Sequence, residues 1–166
     1  QVYSEYREEN NKLELEVLKK RIKEFPYIRY AYLFGGEPFM YKEIEPLMQF
    51  LTENHIEIDM TTNGVLLDKY IDRIFDYNIN SITVSIDTLN REKYKKIRGV
   101  DCFELVLNNI KKLAEKKRSL NMSRCPRLNV NCVVMKDNLC EIEDYYNYFY
   151  SEVPELSSVI IEQLTV

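Results

Sequence analysis

The sequence is poor in the features that bind metals or phosphates on their own. Its four cysteines, Cys102, Cys125, Cys132 and Cys140, stand 23, 7 and 8 residues apart. No loop can therefore present a CxxC or CxxxCxxC set of thiolates to one ion. Free thiols in a reducing, cytoplasmic setting are the expectation. His55 is the only histidine, and its place near the end of a helix pattern suits a helix-terminal residue better than a base or ligand. There is no GxGxxG or P-loop string. No apolar run approaches the length needed to span a bilayer, so no membrane partner is expected. Gln1 to Tyr6 shows neither the basic start nor the apolar stretch of a secretory signal. Positive charge is not in surplus either. The formal net charge of -4 disfavours sequence-independent binding to phosphate backbones, and no nucleic-acid partner is expected.

What is present is the composition of a soluble globular protein, with 166 residues, 45% of them apolar and 30% charged. That length suits one domain over residues 1–166 and is too short for two. Charge is uneven: Arg91 to Arg127 holds 12 Lys and Arg against 4 Asp and Glu. Solvated helix faces at Lys111-Lys112 and Lys116-Lys117-Arg118 account for this better than a nucleic-acid stripe. The cluster Tyr145-Tyr146-Asn147-Tyr148-Phe149-Tyr150 is expected to be a helix packed on one side with phenol tips reaching water.

Short apolar runs of strand type alternate with longer amphipathic runs of helix type, the pattern of a parallel α/β protein. Strands are expected at Ile28 to Phe34, Ile56 to Met60, Ser81 to Ile86, Leu128 to Met135 and Ser158 to Leu164. Helices are expected around Ile44, Leu47, Met48 and Leu51; around Leu67, Tyr70, Ile71 and Ile74; around Phe103, Val106, Leu107, Ile110 and Leu113; and around Ile142, Tyr145, Tyr146 and Phe149. Asp101 with Glu104 reads as a capping box for the third of these. A charged helix from about residue 5 to 25 precedes the first strand. Consecutive strand starts are 28, 25, 47 and 30 residues apart, room for one right-handed crossover each, with an extra loop or short helix in the third. A βα barrel or a doubly wound sheet would place a strand before the first helix, so an upstream strand is expected to be missing from this chain.

Three of the four glycines follow strand candidates directly: Gly35, Gly36 and Gly64. Glycine serves where backbone must approach a ligand or take φ > 0, and parallel α/β proteins bind ligands at the carboxyl ends of their strands. Polar residues gather at the same ends: Glu37; Thr61, Thr62 and Asn63; Ser85 and Asp87; Asn129 and Asn131 on one face of the fourth strand; Glu162 and Gln163. Taken singly, a Thr-Asn-Gly turn or an Asp after a strand is an ordinary turn or cap. Together they suit a polar, extended ligand, and a carboxylate at Glu37 could receive an ammonium group.

Gly35-Gly36-Glu37-Pro38, with Tyr32-Leu33-Phe34 before it, resembles the GGEP motif of the radical S-adenosylmethionine (SAM) enzymes. Further segments resemble that family in the same order: Thr61-Thr62-Asn63-Gly64 its TTNG, Val84-Ser85-Ile86-Asp87 with Arg98-Gly99 its SID and RG region, and Asn129 to Lys136 its NxVVMK segment. The resemblance implies an α/β fold, a partial (β/α)6 TIM-like barrel of parallel strands. It implies that Gly35, Gly36 and Glu37 bind the methionine end of SAM. Thr62, Ser85 and Asp87 would contact its carboxylate or ribose, Arg98 would pair with the carboxylate, and Asn131 would contact ribose or adenine.

The family's three cluster cysteines, CxxxCxxC, do not occur in this sequence. They would fall just before Gln1, where the missing strand is also expected, so the chain is expected to be a fragment lacking the first strand and the cluster loop. Val166 would then end near the sixth barrel strand. The resemblance implies an oxidoreductase in which a 4Fe-4S cluster reduces SAM to a 5'-deoxyadenosyl radical that abstracts hydrogen. Its partners would be a small-molecule or peptide substrate and an electron donor such as a flavodoxin or ferredoxin. Phe34 and the NxVVMK-like strand lean toward peptide and cofactor maturation. This chain alone is expected to contribute no catalytic or metal-ligating residue and to be inactive. Two alternatives remain: a clusterless SAM-binding or scaffold module, and an unrelated α/β enzyme binding a phosphorylated ligand.

Overall fold

A computed structural model describes residues 14–122 and 125–163. The elements are α1 (Leu15–Glu24), β1 (Tyr30–Leu33), α2 (Ile44–Glu53), β2 (Glu57–Thr62), α3 (Ile71–Ile74), β3 (Ile79–Ser85), α4 (Arg91–Arg98), α5 (Phe103–Ser119), β4 (Arg127–Val134), α6 (Ile142–Glu152) and β5 (Ser158–Gln163). Short 3-10 turns precede α2, α3 and α6. The expected first helix survives in α1, although its first turns lie outside the described residues, as does Leu164. α4 fills the long third interval. No helix among the described residues is long and apolar enough to cross a membrane.

All five strands are parallel and lie in the order β1-β2-β3-β4-β5. Each new strand joins the same edge of the sheet, with a helical crossover between. A doubly wound sheet would reverse its winding at a switch point, so this order selects barrel-type winding.

Apart from one register irregularity between β2 and β3 at Ile58 and Asp59, the strands alternate between two unlike faces. One face carries Ile58, Met60, Ile82, Val84, Leu128, Val130 and Cys132, each at most 3% exposed, beneath the helices. The registers put Tyr32, Asp59, Thr61, Ser81, Thr83, Ser85, Asn129, Asn131, Ser158 and Glu162 on the other. Parallel strands buried on both sides usually read as continuous apolar runs. Here half of each strand is polar, which leaves one face suited to hydrogen-bonding.

The helices form where their apolar stripes meet the first face. α2 buries Ile44, Leu47, Met48 and Leu51; α5 buries Phe103, Val106, Ile110 and Leu113 and packs on α3 and α4. α6 buries Tyr145 and Phe149 in an edge-to-face pair while Tyr146 and Tyr150 stack in solvent. The capping box at Asp101 does not form. Cys102 takes the N-cap position without a side-chain bond, because the Asp101 carboxylate is held by Arg91 through bonds of 3.0 and 2.8 Å. His55 lies just beyond α2 in the left-handed region. The basic stretch is met by acids from neighbouring elements: Lys93 by Glu141, Lys96 by Asp137, Lys116 by Asp72 and Arg118 by Glu155.

Candidate functional site

β1 ends at Leu33, and the chain turns through Gly35 and Gly36, both at positive φ (84° and 56°). A side-chain carbon at either would meet nothing within 4 Å. Conformation, not crowding, thus requires glycine here, and the peptide groups of the turn stand open at the strand ends. Glu37 is turned the other way. Its Oε1 accepts from the backbone N of Phe39 (3.1 Å) and from Thr62 Oγ1 (2.8 Å), and its Oε2 accepts from the backbone N of Asn63 (2.7 Å). Of about four lone-pair sites on a carboxylate, three are engaged. The carboxylate expected to receive an ammonium group mainly staples the Gly-Gly turn to the end of β2.

Thr62 belongs to that staple. It is 1% exposed, lies in register with Val84 on the helix-covered face, and accepts from the backbone N of Gly64 at 3.1 Å. Gly64 carries the TTNG-like turn under a different constraint. At φ 78°, an added side-chain carbon would stand 2.8 Å from Val84 Cγ1 and 3.0 Å from Val106 Cγ1, and the Gly64 carbonyl accepts from Asn109.

Asp87 and Arg98 form a second internal tie. Asp87 is 5% exposed; its Oδ1 accepts from the backbone N of Val133 (3.0 Å) and its Oδ2 meets Arg98 Nη2 at 2.6 Å. Asn138 donates to the carbonyls of Asp87 and Val133, which ties the ends of β3 and β4 together. Beside this tie, burial pushes the Cys132 thiol up to about 11, with the nearby Asp87 adding to it, and burial also raises the Tyr145 phenol. Cys132 is thus an inert, protonated core thiol.

The open face holds a different set. Tyr32 and Thr61 share a hydrogen bond of 2.7 Å, Asp59 accepts from Asn80 and Ser81, and Asn129 links Thr83 to Ser158. Toward the carboxyl ends, Ser85 and Asn131 are register partners. Asn131 is 9% exposed; its Nδ2 donates to Glu162 Oε2 at 3.1 Å, while its Oδ1 is buried with no partner. A buried acceptor without a donor is costly and marks a place for one.

The eight expected site residues therefore separate. Gly35 and Gly36 present backbone at the rim, and Ser85 and Asn131 share the open face. Glu37, Thr62, Asp87 and Arg98 direct their side chains into ties that hold the strand ends. Glu162 was not among the eight. Its signal was period-two alternation, which aligns it with Ser158 and Ile160 and, through the register, with Asn131.

The Gly-Gly turn, the Ser85 and Asn131 pair and the orphaned acceptor fit a polar ligand such as SAM. Ligands for a metal cluster are another matter. Among the described residues, no group of three or more His, Cys, Asp or Glu could hold a metal ion. Cys102 is partly exposed, Cys125 and Cys140 are exposed and Cys132 is buried, all as free thiols.

The chain is similar to known proteins in sequence and in fold. A probable GTP 3',8-cyclase of Methanocaldococcus jannaschii is 35% identical over 115 residues, 69% of this chain and 36% of that protein. Molybdenum cofactor biosynthesis protein 1 of Dictyostelium discoideum is 35% identical over 114 residues, 67% of this chain and 17% of that protein. The chain thus spans about a third or less of these curated relatives. In fold it resembles Streptococcus suis SuiB bound to S-adenosylmethionine, with a TM-score of 0.77 over 96% of this chain and 36% of that one, at 17% identity. The radical SAM superfamily profile matches residues 1–149, and with that span, the sequential parallel sheet and the GGEP-like turn, the chain belongs to the radical SAM superfamily.

Proposed function

We propose that this chain is the SAM-positioning part of a radical SAM enzyme that acts in cofactor maturation. The observation that carries the reading is the buried, unpartnered Asn131 Oδ1 on a polar sheet face, at the same strand ends as an open Gly-Gly turn. The Gly35 and Gly36 peptide groups would take the amino group of the methionine end, with the remaining lone pair of Glu37 behind them. Ser85 and Asn131 would face the carboxylate and the nucleoside. Thr62, Asp87 and Arg98 would act indirectly by fixing the ends of β2, β3 and β4, since placement to within a fraction of an ångström governs such chemistry. The helix-covered face excludes water from one side of the sheet.

The family uses SAM together with a 4Fe-4S cluster. Bound SAM supplies hydrogen-abstraction chemistry through reductive cleavage of its sulfonium bond. The residues of this chain do not fit the cluster: the sequence has no CxxxCxxC, and the described residues hold no metal-ligating group. Their share of the work is binding and orientation. The relatives named GTP 3',8-cyclase and molybdenum cofactor biosynthesis protein, at 35% identity, support a small-molecule substrate in cofactor maturation. SuiB, bound to the precursor peptide SuiA in another structure, shares only the fold. A small ferredoxin or flavodoxin would deliver the electron.

Calorimetric titration of the full chain with SAM and with inorganic phosphate tests the reading. Binding of SAM without phosphate binding is expected, and the 166-residue chain by itself should yield no 5'-deoxyadenosine. Phosphate binding without SAM binding would replace this reading with that of a phosphate-ligand enzyme.

A further inference from the structure

The opposite end of the sheet, where β4 and β5 begin, holds a pocket of about 520 Å³ walled by the end of α5 and the loop from α6 to β5. α5 stops at Asn121, left-handed at φ 53°. The backbone N–H groups of Asn121 and Met122 donate to the carbonyls of Arg118 and Lys117 at 2.9 and 3.2 Å. That closing turn satisfies two of the last carbonyls of the helix without a side chain. Lys117 is therefore not needed as a cap. Nor does it reach water as a lysine ordinarily does, for it lines the pocket at 4% exposure. Among the described residues its ammonium has no hydrogen-bond or ion-pair partner. Burial pulls its pKa down, while Cys125 and Glu155 act in the other direction. Glu155 lines the same pocket; its Oε1 is taken by Arg118 Nε, and its Oε2 is buried with no donor.

An unpaired ammonium and an unpaired carboxylate oxygen thus line one pocket without closing on each other. Each is costly alone, since a buried charge or acceptor requires a partner. Together they specify a ligand that brings a carboxylate for Lys117 and a donor for Glu155. We propose that this pocket binds a free α-amino acid with an apolar side chain, its carboxylate on Lys117 and its ammonium on Glu155 Oε2. A free amino acid carries both charges on one carbon, whereas a peptide end carries one. A phosphate brings no cation and meets Glu155 as a like charge. The neighbouring wall sets the side chain: Pro154, Leu156 and Ser157 also line an adjoining pocket whose other walls include Phe149, Tyr150 and Val153. Because the site lies at the amino ends of the parallel strands, it is separate from the Gly-Gly turn at their carboxyl ends.

The test titrates L-leucine, isocaproate (which lacks the ammonium) and L-leucinamide (which lacks the carboxylate) by calorimetry into the full chain, Lys117→Met and Glu155→Gln. The unaltered chain should bind leucine, and each control about tenfold more weakly or worse, the loss expected of one charge-assisted hydrogen bond. Lys117→Met should weaken leucine about tenfold and spare leucinamide, while Glu155→Gln should weaken leucine and spare isocaproate. Uniform weakening of all three ligands would mark a structural role and overturn the inference. Lys117→Met also removes an unpaired buried charge, so without ligand it should melt no lower than the unaltered chain. A lower melting temperature would make the ammonium a structural group and likewise overturn the inference. Excess SAM should leave leucine binding unchanged; competition would place leucine at the Gly-Gly turn instead and overturn the site. So would no binding of leucine at millimolar concentration, or a control that binds as tightly as leucine.

Discussion

The two ends of the rim are built on opposite plans. Between β1 and β2, the side chains are engaged with the protein: Glu37 takes three hydrogen bonds, Thr62 bridges it to the Gly64 amide, and Asn63 accepts from Val65. What stands open there is backbone, at Gly35 and Gly36. Between β3 and β5, backbone is locked in the ladder and a side-chain acceptor, Asn131 Oδ1, stands unpartnered. The first end is a rigid frame whose side chains hold a turn in place; the second leaves side-chain groups, not backbone, on the open face. Stability and binding should therefore respond to mutation together at one end and separately at the other.

The largest effect is expected at Gly64. Alanine there meets Val84 and Val106 and a left-handed backbone at once, for a loss of about 3 kcal/mol. For a chain of this size, thermal unfolding should move down by roughly 2–4 °C per kcal/mol lost. An unchanged melting temperature would show that the frame yields more easily than its packing implies.

Thr62 comes next. Thr62→Val keeps the shape but removes the donor to Glu37 and leaves the Gly64 amide without its acceptor, costing about 1–3 kcal/mol. SAM affinity should fall with it, and Thr62→Ser should restore both. If Thr62→Val binds SAM as tightly as the unaltered chain, the staple does not serve the site.

At the other end, Asn131→Leu should separate the two readouts. It removes an unsatisfied acceptor, so stability should change by less than about 1 kcal/mol while SAM binds roughly tenfold more weakly. Parallel losses in chemical denaturation and in binding would erase the distinction between the ends.

The smallest effect concerns a tie outside the rim. Burial alone would raise the Glu141 carboxyl, but hydrogen bonds from Lys93 and Thr88 outweigh it and hold the group below its ordinary value of 4.5. A depressed carboxyl contributes stability above that ordinary value and loses it as pH falls through the folded-state value. Melting temperature should thus drop on acidification below about pH 4.5. Glu141→Gln should flatten that slope slightly, because the pair is partly exposed and screened by solvent.

Much of the fold was legible from order and period. Apolar runs alternating with helical stripes placed all five strands and α2, α5 and α6 within a few residues, since burial against a sheet demands those periods. Glycines after strands located the turns, and the GGEP-like and NxVVMK-like strings pointed to the family. These are properties of neighbouring residues, and a linear sequence carries them directly. What each polar side chain faces was decided only in three dimensions. Glu37 and Ser85 both sit at strand ends in the sequence, but register and the staple turn one inward and leave the other on the open face. The Asp101 cap was lost to Arg91, ten residues away, and Glu162 acquired its place beside Asn131 only through the pairing of β4 and β5. Hydrogen bonds between residues distant in sequence depend on which strands meet and in what register, and no local pattern records that.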